Sequence, residues 1–250
     1  MGLRRRLKPR AESYTKHCMG SEVIALGVIW YVAFLLSLTC HEAAHALIAK
    51  LAGDPTAYEA GQVTLNPVPH VRREPIGTIL VPLITYAAGG FMLGWASAPY
   101  DPHWQQRHPK RAAWMALAGP AANILLVVGA ALAIRIGIAA GAFHMPEAVN
   151  FSHMVAAPGG GAAEGLAKFL SILFSLNLVL AAFNLLPLPP LDGATAVGIF
   201  LSDKAALRFA MLARSPMFAL IGLLVAWRFF GQIAGYVFLV GAKVLYPGAF

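Results

Sequence analysis

Residues 22–52 read EVIALGVIWYVAFLLSLTCHEAAHALIAKLA. From Val23 to Cys40 no charged side chain interrupts the run, and then His41, Glu42 and His45 appear inside it. About 20 apolar residues suffice to carry a helix across ~30 Å of hydrocarbon. Ionisable groups inside such a helix are costly and need a reason to be there. Residues 41–45, His-Glu-Ala-Ala-His, supply one. Histidines at i and i+4 project from one helical face, a turn apart, so two imidazole nitrogens can share one tetrahedral Zn²⁺. Glu42 sits beside the first of them. It can reach a water on the metal and take its proton without binding the metal itself. The alternative, a satisfied pair of core histidines, fits poorly where a neighbouring glutamate would also need neutralising.

The rest of the chain keeps this character. Apolar residues make up 58% and charged residues 12% of the 250, whereas a soluble globule carries about 25% charge. Further apolar stretches run over residues 76–98, 112–142, 165–186 and 217–245. The expected fold is an all-α polytopic membrane protein of about five apolar segments. The turn-rich stretch after the first segment holds a short β element at residues 62–65, ended by Pro67 and Pro69. The net charge of +8 comes from basic residues in the N-terminal 21 residues and in short loops. That is the membrane pattern and not a nucleic-acid footprint. Residues 1–21 form a basic tail and not a signal peptide, because the following apolar run is too long and lacks a small-x-small cleavage site. Cys18 and Cys40 would lie ~33 Å apart on a helix and cannot bridge. Arg135 can snorkel from a helix end, and Arg228 either breaks the fifth segment or meets an interfacial partner.

Two histidines do not close a catalytic zinc site. Residues 184–193 read NLLPLPPLDG, where three prolines unwind the chain at membrane depth. Irregular backbone is tolerated there only against protein or a water-filled cavity. Asp192 is the one acidic residue in that stretch. Zn²⁺ with two neutral imidazoles, one carboxylate and one hydroxide sums to zero charge, the cheapest state in a low-dielectric site. Alone, Asp192 would read as the N-cap of a following helix. Beside His41 and His45 it reads as the third ligand.

The pairing of HEAAH with NLLPLPPLDG resembles the site-2 protease family of intramembrane zinc metalloproteases, in particular its small prokaryotic members without a PDZ domain. GQVTLNPVPH (61–70), PIGT (75–78), GW (94–95) and AGPAAN (118–123) support the likeness. The chain departs from the family after Trp95, where ASAPY (96–100) replaces a Lys and alternating Pro and Val. The resemblance implies one Zn²⁺ per chain, held by His41, His45 and Asp192, with Glu42 as the base. It implies that residues 22–250 are an integral membrane protease domain, multi-pass in a prokaryotic plasma membrane. Its substrates would be membrane-spanning proteins, unwound locally and paired by strand addition to residues 62–65 or 95–100. It also suggests that Asn184 helps position substrate or the tetrahedral intermediate and that Asn123 contacts substrate, although packing explains Asn123, an Asn in an apolar helix, equally well. A zinc-binding membrane protein without catalysis, such as a transporter, is the rival. Transporters usually carry internal repeats and paired broken helices, and one Pro-broken motif is present.

Topology is left open. HEAAH lies late in the first segment and LDG follows the fourth, so these two segments must run in the same direction to meet. Either the second segment is a re-entrant hairpin or the third is not a full crossing. Pro82, Gly89 and Gly90 make the second the weaker helix. Five full crossings with an internal N-terminus would put Arg4, Arg5, Arg6, Lys8, Arg10 and Lys16 on the same side as the later basic loops. Translation starting at Met19 would remove that constraint.

Overall fold

The computed structural model describes residues 8–249, with side chains from Gly20 onward; Arg4, Arg5 and Arg6 lie outside the described residues. Among those described, the chain folds into α1 (Lys8–Leu51), α2 (Thr56–Glu59), α3 (Pro67–Arg73), a π-helical turn (Ile76–Leu80) continuing into α4 (Val81–Gly89), α5 (Pro102–Arg107), α6 (Pro109–Ala139), α7 (Gly161–Asn184), α8 (Asp192–Ala196), α9 (Asp203–Ala213) and α10 (Pro216–Leu245). Four stretches are long and apolar enough to cross a bilayer: Gly20–Leu51, Pro109–Ala139, Gly161–Asn184 and Pro216–Leu245. The chain is therefore a multi-pass membrane protein.

Lipid tails are as apolar as leucine, so helices in a bilayer associate through close packing of small residues and through polar contacts. Ala46 and Ala49 of α1 and Ala112, Ala113 and Ala116 of α6 are nearly inaccessible. Polar contacts give the directions. Trp30 reaches Ser152 ahead of α7, Ser37 meets Asn177 within α7, and His41 lies 3.1 Å from Asp192 beyond α7. So α1 and α7 run parallel. Met115 pairs with His45 and Asn123 with His41, which makes α6 antiparallel to both. α10 begins with Gly222 against the Pro189 carbonyl and ends with Tyr246 bonded to Met154, antiparallel to α7.

Only α6 and α7 cross between the end of α1 and Asp192, so the second apolar segment has to turn back. Its helix climbs beside α1 until the Tyr86 hydroxyl donates to the Val23 carbonyl (2.7 Å). The chain reverses at Gly90 and returns without helix over residues 91–100. The Asp101 amide then donates to Asp54 (2.8 Å), just past the end of α1. Two glycines let the arms of this hairpin touch. A Cβ on Gly77 would lie 2.3 Å from the Trp95 carbonyl oxygen, and one on Gly94 would lie 2.2 Å from that of Gly77. With neither present, the Trp95 amide donates to the Gly77 carbonyl at 3.1 Å. Asp101 caps α5, and the amides of His103 and Trp104 hold its carboxyl below the usual range.

The count of five segments thus becomes four long helices and a re-entrant hairpin. The expected β element also differs. Residues 62–65 are irregular, because the Gln62 amide closes a turn onto Ala57 and the Thr64 carbonyl is taken by the His70 imidazole. Arg107 of α5, Lys110 and Arg111 at the start of α6, and Lys204, Arg208 and Arg214 on and just after α9 share the end of the bundle where α1 terminates. The N-terminal end of α1 lies at the opposite end, which removes the five-crossing arrangement. Arg135, late in α6, donates to the Leu245 carbonyl (2.8 Å) and caps α10.

Candidate metal centre

His41 and His45 stand on one face of α1, both buried, with ring centroids 4.6 Å apart. Asp192 arrives from the first turn of α8. Leu191, not Asp192, takes the N-cap position of that helix, and Asp192 Oδ2 makes no hydrogen bond, so the N-cap alternative falls away. Lys110 of α6 holds the turn after α8 in place by donating to the carbonyls of Gly198 (3.1 Å), Ile199 (2.7 Å) and Leu201. Three atoms converge. His41 Nε2 and His45 Nε2 are 3.0 Å apart, and Asp192 Oδ2 lies 3.1 and 3.3 Å from them.

Proton positions decide what this convergence means. His41 Nδ1 lies 2.6 Å from Asn123 Oδ1, and His45 Nδ1 lies 2.8 Å from the Met115 carbonyl. Both partners are acceptors, so each neutral ring carries its proton on Nδ1 and presents a bare lone pair at Nε2. Two lone pairs and a carboxylate oxygen then face one point, and Asp192 Oδ2 is buried without a hydrogen bond. Uncompensated, such a set is costly. Two nitrogens and one oxygen with a fourth position open form the donor set of catalytic zinc. α6 leaves room: a Cβ on Gly119 would sit 2.4 Å from His45 Nε2 and 2.5 Å from His41 Nε2, in the space a cation would use. The residues fit a zinc ion. His41, His45 and Asp192 are the one such cluster among the described residues.

Glu42 is buried beside His41 and outside this cluster. Asn184 ends α7 half-buried, with no side-chain hydrogen bond. Asn123 is wholly inaccessible and bonded to His41. Gly119, Met115 and Asn177 complete the surroundings and were not singled out from sequence; each is remote in the chain from His41, and a Gly, Met or Asn in an apolar helix reads first as packing.

The returning arm of the hairpin offers a second feature. Amides in an extended chain point alternately to opposite sides. Those of Leu93 and Trp95 face the hairpin helix, bonding to Thr85 and Gly77, and the Ser97 carbonyl faces the same way, onto Arg73. The amides of Ala96, Ala98 and Tyr100 face the other way, and no hydrogen bond reaches them. Gly94 packs on Phe34. From there this arm runs the same way as α1, toward the contact of the Asp101 amide with Asp54.

A protein of Bacillus subtilis named as a zinc metalloprotease, YwhC, is 37% identical over 164 residues, 65% of this chain and 64% of that one. Proteins named as zinc metalloprotease Rip2 are similar too: that of Mycolicibacterium smegmatis is 30% identical over 70% of this chain and 58% of its own length. That of Mycobacterium tuberculosis strain H37Rv is 32% identical over 79% of this chain and 66% of its own length. The chain spans about three fifths to two thirds of the length of these relatives. No solved structure matches it. The model of peptidase family M50 covers residues 29–224, a stretch that includes all three converging side chains and most of the bundle around them, and the chain belongs to that family.

Proposed function

We propose that this chain is a zinc-dependent endopeptidase that hydrolyses peptide bonds in or near the membrane-spanning segments of other proteins. The observation that carries this reading is the convergence of two Nε2 atoms, each on a ring whose Nδ1 faces an acceptor, with one carboxylate oxygen that has no hydrogen bond. His41, His45 and Asp192 hold the metal, one per chain. Zinc, when bound, polarises a carbonyl and lowers the pKa of water.

The chain's own residues supply the rest. Glu42, buried next to the ligands but not one of them, takes the proton of the attacking water and returns it to the leaving amine. Asn184, with its amide uncommitted at the end of α7, orients the scissile segment. A helix protects its peptide bonds with its own hydrogen bonds, so a substrate must be unwound before attack. The free amides of Ala96, Ala98 and Tyr100 can hold such an extended segment by strand addition. In residues 62–65, the other candidate, the Gln62 amide and the Thr64 carbonyl are already bonded, to Ala57 and His70.

The protease domain, residues 22–250, sits in the prokaryotic plasma membrane. Lys50, Arg72, Arg73, Arg107, Lys110, Arg111, Lys204, Arg208 and Arg214 lie at the metal-proximal end, while Lys8, Arg10 and Lys16 at the start of α1, with Arg135, Lys168 and Lys243, lie toward the other. Among the charges that follow the first span the excess lies at the metal-proximal end, and positive charge favours the cytoplasmic side, so this reading puts that end in the cytoplasm. The test is cleavage of a model transmembrane segment with helix-breaking residues, in detergent, with and without a zinc chelator. Cleavage that persists after zinc is stripped overturns the proposal.

A further inference from the structure

Polar side chains buried between helices need partners, and α1, α6 and α7 bury four in one connected chain: His41, Asn123, Asn177 and Ser37. Its direction is dictated from the far end, by two backbone carbonyls that can only accept. The Leu173 carbonyl accepts from Asn177 Nδ2 at 2.7 Å, and the Ala33 carbonyl accepts from Ser37 Oγ at 2.6 Å. With its proton committed, Ser37 Oγ offers only lone pairs and accepts the second Asn177 Nδ2 proton at 2.8 Å. Asn177 Oδ1 therefore faces Asn123 and accepts from its Nδ2 at 2.7 Å. The oxygen end of Asn123 is what remains for His41 Nδ1.

We infer that Asn177, with Ser37, is a positioning residue for the metal: it sets which end of the Asn123 amide meets His41, and so which imidazole nitrogen keeps the lone pair. The inference rests on the zinc site proposed above and deepens it. Without Asn177 the Asn123 amide is free to turn. Its NH₂ would then donate to His41 Nδ1, the ring proton would move to Nε2, and the nitrogen that should bind metal would carry hydrogen instead. Asn177 touches neither the metal cluster nor His41. Asn123 is a link in this chain and not a substrate contact.

The test measures zinc affinity of the purified full-length chain in detergent, by competition with a chromophoric chelator. Asn177→Leu should bind zinc about 10–100-fold more weakly, the usual cost of losing an outer-shell partner. Adding Asn123→Asp to that variant should restore most of the affinity, because a carboxylate has two acceptor oxygens and no donor end to turn toward the ring. If the asparagines were only glue between helices, the second substitution would deepen the loss. Wild-type affinity in Asn177→Leu, or a double variant no tighter than the single, overturns the inference while leaving the zinc site standing. A wild-type chain that takes up no zinc overturns both. Should Asn177→Leu fail to fold, Ser37→Ala carries the same comparison, since it frees the Asn177 amide to turn: it should weaken zinc binding, adding Asn123→Asp should restore most of it, and wild-type affinity or no restoration overturns the inference.

Discussion

Glu42 is one peptide bond from His41, yet it stands outside the convergence of donor atoms. That separation makes a sharp prediction. Glu42→Gln should keep its zinc and its fold, while cleavage of a model transmembrane segment falls by ~10²-fold or more, because an amide cannot accept the water's proton. A transporter or an inert zinc protein would not depend on that proton transfer, so unchanged cleavage in the Gln variant would remove Glu42 from the mechanism. Asp192→Ala should lose most of the zinc, measured by metal analysis; full occupancy would remove it as a ligand. Gly119 makes a different point. Its missing Cβ would come within 2.5 Å of both Nε2 atoms, a distance close to the ~2.0–2.1 Å of a Zn–N bond. Gly119→Ala should therefore purify with its helix content intact and its zinc largely absent. A fully loaded Ala variant would mean that α6 can move aside without cost. His41, Glu42 and His45 were readable from sequence because one helical turn sets their relation. Asp192 was readable because prolines at membrane depth single it out. Gly119 and Asn177 were not, since their roles exist only once α6 and α7 lie against α1.

At the scale of elements, the hairpin of residues 76–100 is where the proposed pairing with substrate can be tested. Its returning arm exposes the amides of Ala96, Ala98 and Tyr100 on one side. Ala98→Pro deletes one of those donors in a backbone that is already extended. One hydrogen bond is worth ~0.5–1.5 kcal/mol, so cleavage should drop by up to about tenfold with zinc content unchanged. If kcat/KM is unaltered, substrate does not pair with this edge. The sequence pointed to a weak second helix through Pro82, Gly89 and Gly90, yet both alternatives for the topology stayed open. What decides between them is long-range: Gly77 against Trp95, Tyr86 against Val23, Asp101 against Asp54. None of these pairs announces itself in hydropathy. The strand expected at 62–65 is absent for a local reason: the Gln62 amide turns back onto Ala57 and the Thr64 carbonyl bonds to His70.

For the molecule as a whole, the re-entrant hairpin puts the loop before it and the loop after it on one face of the membrane. Single cysteines at Glu59, Gln106 and Asp203, in a background with Cys18 and Cys40 replaced by alanine, should all react with an impermeant thiol reagent from the cytoplasmic side. A cysteine at Glu147 should react from the opposite side. Labelling of positions 59 and 106 from opposite faces would mean that the second segment crosses, and a cytoplasmic metal-proximal end would no longer hold for both loops. The chain from His41 to Ser37 also has a mechanical meaning. Sliding α1 past α7 by a single residue, about 1.5 Å, would break the bond between Ser37 and Asn177 in a surrounding that offers little to replace it. The three helices that hold the zinc ligands and their supports are thereby pinned together at mid-depth and travel as one block. A guest as thick as a helix cannot part them. A substrate of the proposed kind would have to approach along this block's flanks, where the hairpin lies along α1 and α10 lies along α7.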